Sequence, residues 1–154
     1  MLDIYHGDIR RTFKHNPLSF HKNAMPAANA AQCANEQGAF WKMHDILFEN
    51  NKKLSVDDLE SYASQIDLNL DVWKKCFESK KYQYQIESDQ KASVALGARG
   101  TPAFFINGRF ISGAQPYEKF KALIDEELKK AKASGIPRGS YYKKAIVAKG
   151  KKKL

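Results

Sequence analysis

The stretch Gly100-Thr101-Pro102-Ala103-Phe104-Phe105-Ile106-Asn107-Gly108 carries the clearest structural signal in the chain. Its apolar residues 103–106 predict a buried strand, and Asn107-Gly108 is the strongest short signal for a two-residue hairpin turn. Residues 109–112 then predict the returning strand. The proline after Thr101 makes a cis peptide bond accessible, because the cis form of an X-Pro bond costs only about 0.5–1 kcal/mol. The residues alone leave both isomers open.

Helical patterns fill most of the chain on either side of this hairpin. Further upstream, residues 8–14 alternate weakly between polar and apolar and predict a short strand, which Asn16-Pro17 ends. After the hairpin, Pro116 starts a helix that Gly135-Ile136-Pro137 ends. The predicted helices before the hairpin are residues 25–48 with a break at Gly38, residues 56–65 capped by Ser55, a helix starting at Asn69 or Asp71, and residues 81–96 ending at Gly97.

Length and composition indicate one globular domain. The chain has 154 residues, 43% of them hydrophobic, which is enough for a core that needs no disulfide or metal. No apolar run approaches the roughly 20 residues of a membrane-spanning helix. The first residues, Met1–His6, have neither the basic nor the apolar region of a signal peptide. We therefore expect no membrane span, and no signal peptide in the chain as given.

The positive charge is concentrated at the C-terminus. The chain carries 26 Lys and Arg against 17 Asp and Glu, and residues 129–154 contain ten basic and no acidic residues. This pattern is typical of a near-neutral domain with a solvated basic segment. Contact with nucleic acid or anionic lipid is the alternative. No aromatic stacking platform accompanies the lysines, so we expect no specific nucleic-acid partner.

The two cysteines, Cys33 and Cys76, leave three interpretations open. They form a structural disulfide, remain buried free thiols, or act as a substitute redox pair. The third is disfavoured because both lie inside predicted helices, whereas a reactive thiolate is typically found at a helix N-terminus or beside a cation.

The remaining aromatic and histidine residues predict packing and not a ligand site. His6, His15, His21 and His44 lack the spacing of metal ligands, so we expect no metal and no cofactor. The aromatic residues Phe40, Trp41, Phe48, Trp73 and Phe77 are expected in the core of the helical region.

Four segments together resemble the DsbA-like branch of the thioredoxin superfamily. They occur in that family's order and spacing and span nearly the whole chain. The segments are Phe13-Lys14-His15-Asn16-Pro17-Leu18-Ser19-Phe20-His21, Glu36-Gln37-Gly38-Ala39-Phe40-Trp41-Lys42-Met43-His44, Gly100 to Gly108 as quoted above, and Ser112-Gly113-Ala114-Gln115-Pro116.

The resemblance implies an α/β fold, a thioredoxin-like core of the DsbA type with an inserted helical domain. Residues 1–15 would be the end of the first helix plus a strand, and residues 16–97 the insertion. Residues 98–134 would complete the core with the cis-proline loop, the hairpin and a helix, before a basic tail at 135–154. The N-terminal strand and the helix bearing Cys-x-x-Cys have no counterpart, since no Cys-x-x-Cys occurs in the sequence.

The resemblance also implies a function, that of a protein-disulfide oxidoreductase of the periplasm or another extracytoplasmic compartment. Gly100, Thr101 and Pro102 would bind extended or unfolded polypeptides that contain cysteines. The family's nucleophilic cysteine has no equivalent here, so no catalytic residue is assigned and the isolated chain is expected to be inactive. The alternative is a peptide-binding module without enzymatic activity.

The absent strand would lie between the strand matched by residues 9–14 and the one matched by 103–106. Without it both neighbours have open edges. Two remedies are available, a strand supplied by residues 142–148 or a homodimer joined at the open edges. The homodimer is favoured, because a central strand would desolvate the charge of a lysine such as Lys143 or Lys144.

Overall fold

The computed structural model describes residues 2–150, so the last part of the basic tail, Lys151–Leu154, lies outside the described residues. The chain divides into two compact units. Residues 14–91 form one, here called the helical unit. Residues 1–13 together with 92–154 form the other, here called the hairpin unit. The helical unit holds most of the predicted insertion.

Local sequence signals determine where the helices of the helical unit begin and end. Ser55 caps one of them, accepting from the Asp58 N–H at 3.3 Å while the Asp58 carboxylate accepts from the Ser55 N–H at 2.9 Å. Gly38, at φ 72°, separates the first two helices in the left-handed conformation that glycine adopts most readily. The helices are α1 (Ala24–Asn35), α2 (Phe40–Glu49), α3 (Val56–Gln65), α4 (Leu70–Glu78) and α5 (Gln83–Ala95), the last of which continues into the hairpin unit.

The helical unit has a continuous apolar core. Trp73 on α4 is 1% exposed, stacks on Phe77 with ring centroids 4.8 Å apart, and donates its indole N–H to the Ala30 carbonyl at 3.2 Å. Met43 on α2 and Leu59 on α3 are fully buried in the same cluster. The four helices α1–α4 therefore pack around a single apolar centre.

One of the predicted core residues lies at the surface instead. Phe48 is 63% exposed, although Phe40 on the same helix is buried. The apolar face of α2 follows the helical spacing Phe40, Met43 and Leu47, which are all buried. Phe48 is one position beyond that face. The prediction was wrong because it counted aromatic residues without their position around the helix.

The hairpin unit contains the predicted β-hairpin. β1 (Ala103–Ile106) and β2 (Arg109–Ser112) are antiparallel, with Ala103 opposite Ser112 and Ile106 opposite Arg109. Asn107 and Gly108 both have positive φ, 49° and 89°, as a type I′ turn requires. The helix α6 (Tyr117–Ala133) contacts β1.

The strand predicted over residues 8–14 is absent. These residues follow a short 3-10 helix, Leu2–Tyr5, and adopt no regular structure. Within the part of the chain that the structure describes, the sheet consists of β1 and β2. A strand exists only where a neighbour accepts its ladder hydrogen bonds, and the neighbour expected for residues 8–14 has no counterpart in this sequence.

Residues 142–148, predicted as a strand that could pair with the open sheet edges, do not form a strand either. A continuous helical segment occupies residues 138–149, here called the C-terminal helical segment. It consists of α7 (Arg138–Tyr141), a π-helical turn (Tyr142–Ile146) and a 3-10 turn (Val147–Lys149). In this conformation Lys143, Lys144 and Lys149 remain exposed. A strand within the sheet would have removed lysine charge from water at a cost in free energy.

Across residues 2–150, no helix is both long enough and apolar enough to cross a membrane.

Candidate functional site

A loop of residues 96–102 connects α5 to β1. The Thr101–Pro102 peptide bond is cis, the isomer that the family resemblance implies. The Pro102 carbonyl accepts a hydrogen bond of 2.9 Å from the N–H of Gly113, which directly follows β2. The end of the hairpin therefore fixes the loop in place.

The backbone of Thr101 is available to a ligand. Thr101 is exposed, and within residues 2–150 neither its N–H nor its carbonyl has a hydrogen-bond partner. Only Pro102 separates Thr101 from β1, and β1 pairs only with β2 in the described part of the chain. One edge of β1 is therefore open in the described chain, and such an edge is where an extended peptide can add to a sheet.

Aromatic side chains of both hairpin strands are partly exposed. Phe104 and Phe105 on β1 are 39% and 41% exposed, and Phe110 on β2 is 44% exposed. Phe104 also contacts Phe120 of α6 edge-on, with centroids 4.8 Å apart. Phe105 and Phe110 lie 5.1 Å apart. Because successive side chains of a strand alternate between its faces, apolar surface is available on both sides of β1.

Two carboxylates on α6, beside the hairpin, form ion pairs. Arg109 contacts Glu126 at 2.6 Å and Glu127 at 3.4 Å, and Lys130 contacts both at 2.8 Å. Arg109 first, and then Lys130, lower the pKa of Glu126 to about 2. These groups stay ionised in pairs at neutral pH. Arg99 in the loop has no ion-pair partner among the described side chains.

Cys33 and Cys76 form a disulfide bond that links α1 to α4, with their Cα atoms 5.7 Å apart. They are 1% and 5% exposed. This confirms the disulfide among the three interpretations and excludes free thiols. Both cysteines belong to the helical unit, so the hairpin unit contains no cysteine. The loop residues Gly100–Pro102 and the cysteines thus belong to different units.

A buried polar cluster in the helical unit was missed by sequence reasoning. His15 is 4% exposed, and one ring nitrogen lies 2.8 Å from the Gln32 side-chain amide. The Asp89 carboxylate accepts from the His15 backbone N–H at 3.3 Å and pairs with Lys14 at 2.7 Å. Burial lowers the pKa of His15 to about 4, outweighing the opposite effect of Asp89. No local pattern indicates this cluster, because Asp89 lies 74 positions from His15.

Among the side chains that the structure describes, residues 4–150, no group of three or more His, Cys, Asp and Glu could hold a metal ion. The arrangement at the loop offers backbone hydrogen bonds and apolar contact instead. The unit that contains the loop holds no thiol.

The chain is similar to a known protein family and to parts of longer proteins. A family model described as thioredoxin matches residues 2–126. The chain is 36% identical over 122 residues to the Na(+)/H(+) antiporter NhaA 3 of Salinispora tropica, covering 79% of this chain and 19% of that protein. It is 28% identical over 130 residues to the Na(+)/H(+) antiporter NhaA of Herminiimonas arsenicoxydans, covering 84% of this chain and 21% of that protein. The chain thus spans about a fifth of the length of these relatives. No solved structure matches it significantly.

Proposed function

Because the chain belongs to the thioredoxin family, we propose that it is the polypeptide-holding part of a DsbA-like protein-disulfide oxidoreductase. Its substrates are extended or unfolded polypeptides that contain cysteines. The observation that carries the proposal is Thr101, which is exposed and has no hydrogen-bond partner for its backbone N–H or carbonyl within residues 2–150, two positions before the start of β1. Backbone pairing tolerates many sequences, as varied substrates require.

The reaction of this class is attack of a thiolate on a disulfide, followed by resolution of the mixed disulfide by a second thiol. The described residues supply neither thiol at the loop, since Cys33 and Cys76 are bonded to each other. The 154-residue chain alone should therefore neither reduce insulin nor oxidise a dithiol peptide above background. Turnover that Cys33→Ser or Cys76→Ser abolishes would contradict this.

The binding proposal is tested by titrating the chain with an extended, cysteine-containing peptide while observing its backbone amides by NMR. The amides of Thr101 and of β1 should shift, and those of α3 should not. Thr101→Pro removes the donor N–H and should abolish binding, whereas Thr101→Ala keeps the backbone groups and should leave binding unchanged. Equal loss in both variants, or no shift at Thr101, would refute backbone pairing at this loop.

The second candidate is a peptide-binding module that performs no chemistry. The absence of Cys-x-x-Cys from the sequence favours it. The two candidates predict different coding sequences upstream of Met1. An in-frame Cys-x-x-Cys there favours the oxidoreductase, and a start at Met1 favours the module. Peptides with serine in place of cysteine should bind equally well to the module.

We propose that the protein acts in the periplasm or another extracytoplasmic compartment. The support is the Cys33–Cys76 disulfide, because disulfides persist in oxidising compartments and are rare in the reducing cytosol. Trapping of thiols with an alkylating reagent in intact cells tests this placement. Recovery of the two cysteines in alkylated form would contradict it.

A further inference from the structure

Charge is distributed unequally between the two units. The hairpin unit contains sixteen Lys and Arg against six Asp and Glu, whereas the helical unit contains ten against eleven. The excess increases toward the C-terminus, where residues 129–154 include no acidic residue. Such a concentration attracts a polyanion. We propose that the C-terminal helical segment, residues 138–149, binds the surface of an anionic phospholipid bilayer.

The lysines of this segment are free to make that contact. Lys143, Lys144 and Lys149 are exposed, and none of them pairs with a carboxylate among the described side chains. Arg138, by contrast, is already engaged by Asp8 at 3.3 Å. Unpaired cations near an anionic membrane surface each add to the attraction and lose it as salt screens the charge.

Exposed apolar side chains adjoin these lysines in the segment. Tyr142 is 51% exposed and Val147 is 49% exposed. Ile146, next to Val147, is partly buried. Some apolar residues of the segment therefore pack against the protein, while Tyr142 and Val147 remain exposed. Membrane-surface segments combine cations with apolar side chains that enter the interfacial region, where tyrosine is enriched. The segment has both signals.

The same surface is poorly suited to nucleic acid. The guanidinium of Arg10 lies over the Tyr142 ring, 4.8 Å from its centroid, and covers one face of it. A base could therefore stack only on the other face, and binding of single strands depends on stacking of successive bases on aromatic rings. Nucleic-acid binding is accordingly an outcome of the test that would oppose the proposal.

The test is sedimentation of the whole chain with vesicles of phosphatidylcholine alone or with a third of phosphatidylglycerol. We expect binding only to the anionic vesicles, and at least tenfold weaker binding in 0.5 M salt. The triple variant Lys143→Gln, Lys144→Gln and Lys149→Gln should bind at least tenfold more weakly. The double variant Tyr142→Ser and Val147→Ser should bind severalfold more weakly at unchanged charge.

A matched control removes the same charge from the helical unit. Lys22, Lys52 and Lys53 are exposed there, and their triple replacement by Gln should leave vesicle binding unchanged. Circular dichroism verifies that each variant is folded. Equal losses in both triple variants, equal binding to neutral vesicles, or tighter binding to DNA than to anionic vesicles would each overturn the proposal. Thr101→Pro should not affect vesicle binding, so this result is independent of the proposed function.

Discussion

The helical unit buries many large apolar side chains, most of them in one core, whereas the hairpin unit buries few of its own. Trp73 in the helical unit is 1% exposed, but Phe105 in the hairpin unit is 41% exposed. The difference follows from the number of packed elements. In the helical unit α1 to α4 surround one centre, while the described sheet of the hairpin unit has only two strands. Two strands rarely form a stable sheet alone, so the packing of the hairpin unit is the weaker of the two.

The first prediction compares one aromatic deletion in each unit. Trp73→Ala should lower the free energy of unfolding by about 4 kcal/mol, because it leaves a cavity and the Ala30 carbonyl loses its donor. Phe105→Ala should cost less than about 1 kcal/mol, as expected for an exposed side chain. Urea unfolding followed by circular dichroism measures both. Similar costs at the two sites would break the comparison.

The elements that sequence reasoning predicted well are those with local causes. Ser55 and Asn69 each bond to a backbone N–H three residues ahead, so a window of a few residues contains the whole interaction. The turn at Asn107-Gly108 needs two residues with positive φ, and the sequence provides both. The family resemblance pointed to Gly100–Pro102 as a functional loop. The structure adds that these residues are exposed.

The failures concern interactions between distant residues. Residues 8–14 have the composition of a strand, but a strand depends on a neighbour that this sequence does not contain. The Ile146-Val147 pair suggested a strand, yet the segment is helical because that keeps the lysines around it in water. The cluster of His15, Gln32 and Asp89 joins three separate parts of the chain, and no pattern in one sequence reveals such a cluster.

The second prediction concerns the covalent link in the helical unit. Replacing Cys33 and Cys76 together by serine should lower the free energy of unfolding by about 3 kcal/mol, since the disulfide restricts the unfolded chain. The amide NMR signals of β1 and β2 should stay in place, because the bond lies in the other unit. Two reactive thiols titrated in the native, never-reduced protein would contradict the bond itself.

The third prediction is a pH dependence that the helical unit alone should show. The pKa of His15 is lowered from 6.5 to about 4, so the unfolded chain binds the proton more readily than the folded one. Stability from this group is complete above pH 6.5 and decreases as the pH falls toward 4. Between pH 7 and pH 4.5 the loss should be about 2 kcal/mol, from 1.36 kcal/mol for each pKa unit.

The control for this prediction is His15→Gln, which cannot titrate but can still bond to Gln32. The variant should show a flatter dependence of stability on pH over the same range. Asp89 and Lys14, which face His15, remain in both proteins, so the difference between the two curves isolates the histidine. An identical slope in both proteins would rule out His15 as the source.

The last prediction addresses the partner of the hairpin unit. An unpaired strand edge with apolar side chains on both faces invites association, and we propose that a second copy of the chain pairs with β1 to give a homodimer. The unit's like charges oppose this approach, so the dimer should strengthen as salt screens them. Sedimentation at micromolar concentration should give twice the chain mass of 17.5 kDa, with a larger dimer fraction at 0.5 M salt than at low salt.

Two substitutions of the same kind separate the edge from general surface effects. Phe105→Lys places a charge on the open edge strand, a change that blocks strand pairing, and should weaken the dimer about tenfold, or about 1.4 kcal/mol. Phe48→Lys adds the same charge at an exposed phenylalanine of the helical unit and should leave the dimer unchanged. A single-chain mass at every salt concentration would exclude the dimer. The open edge would then be left to the extended polypeptides proposed as its substrates.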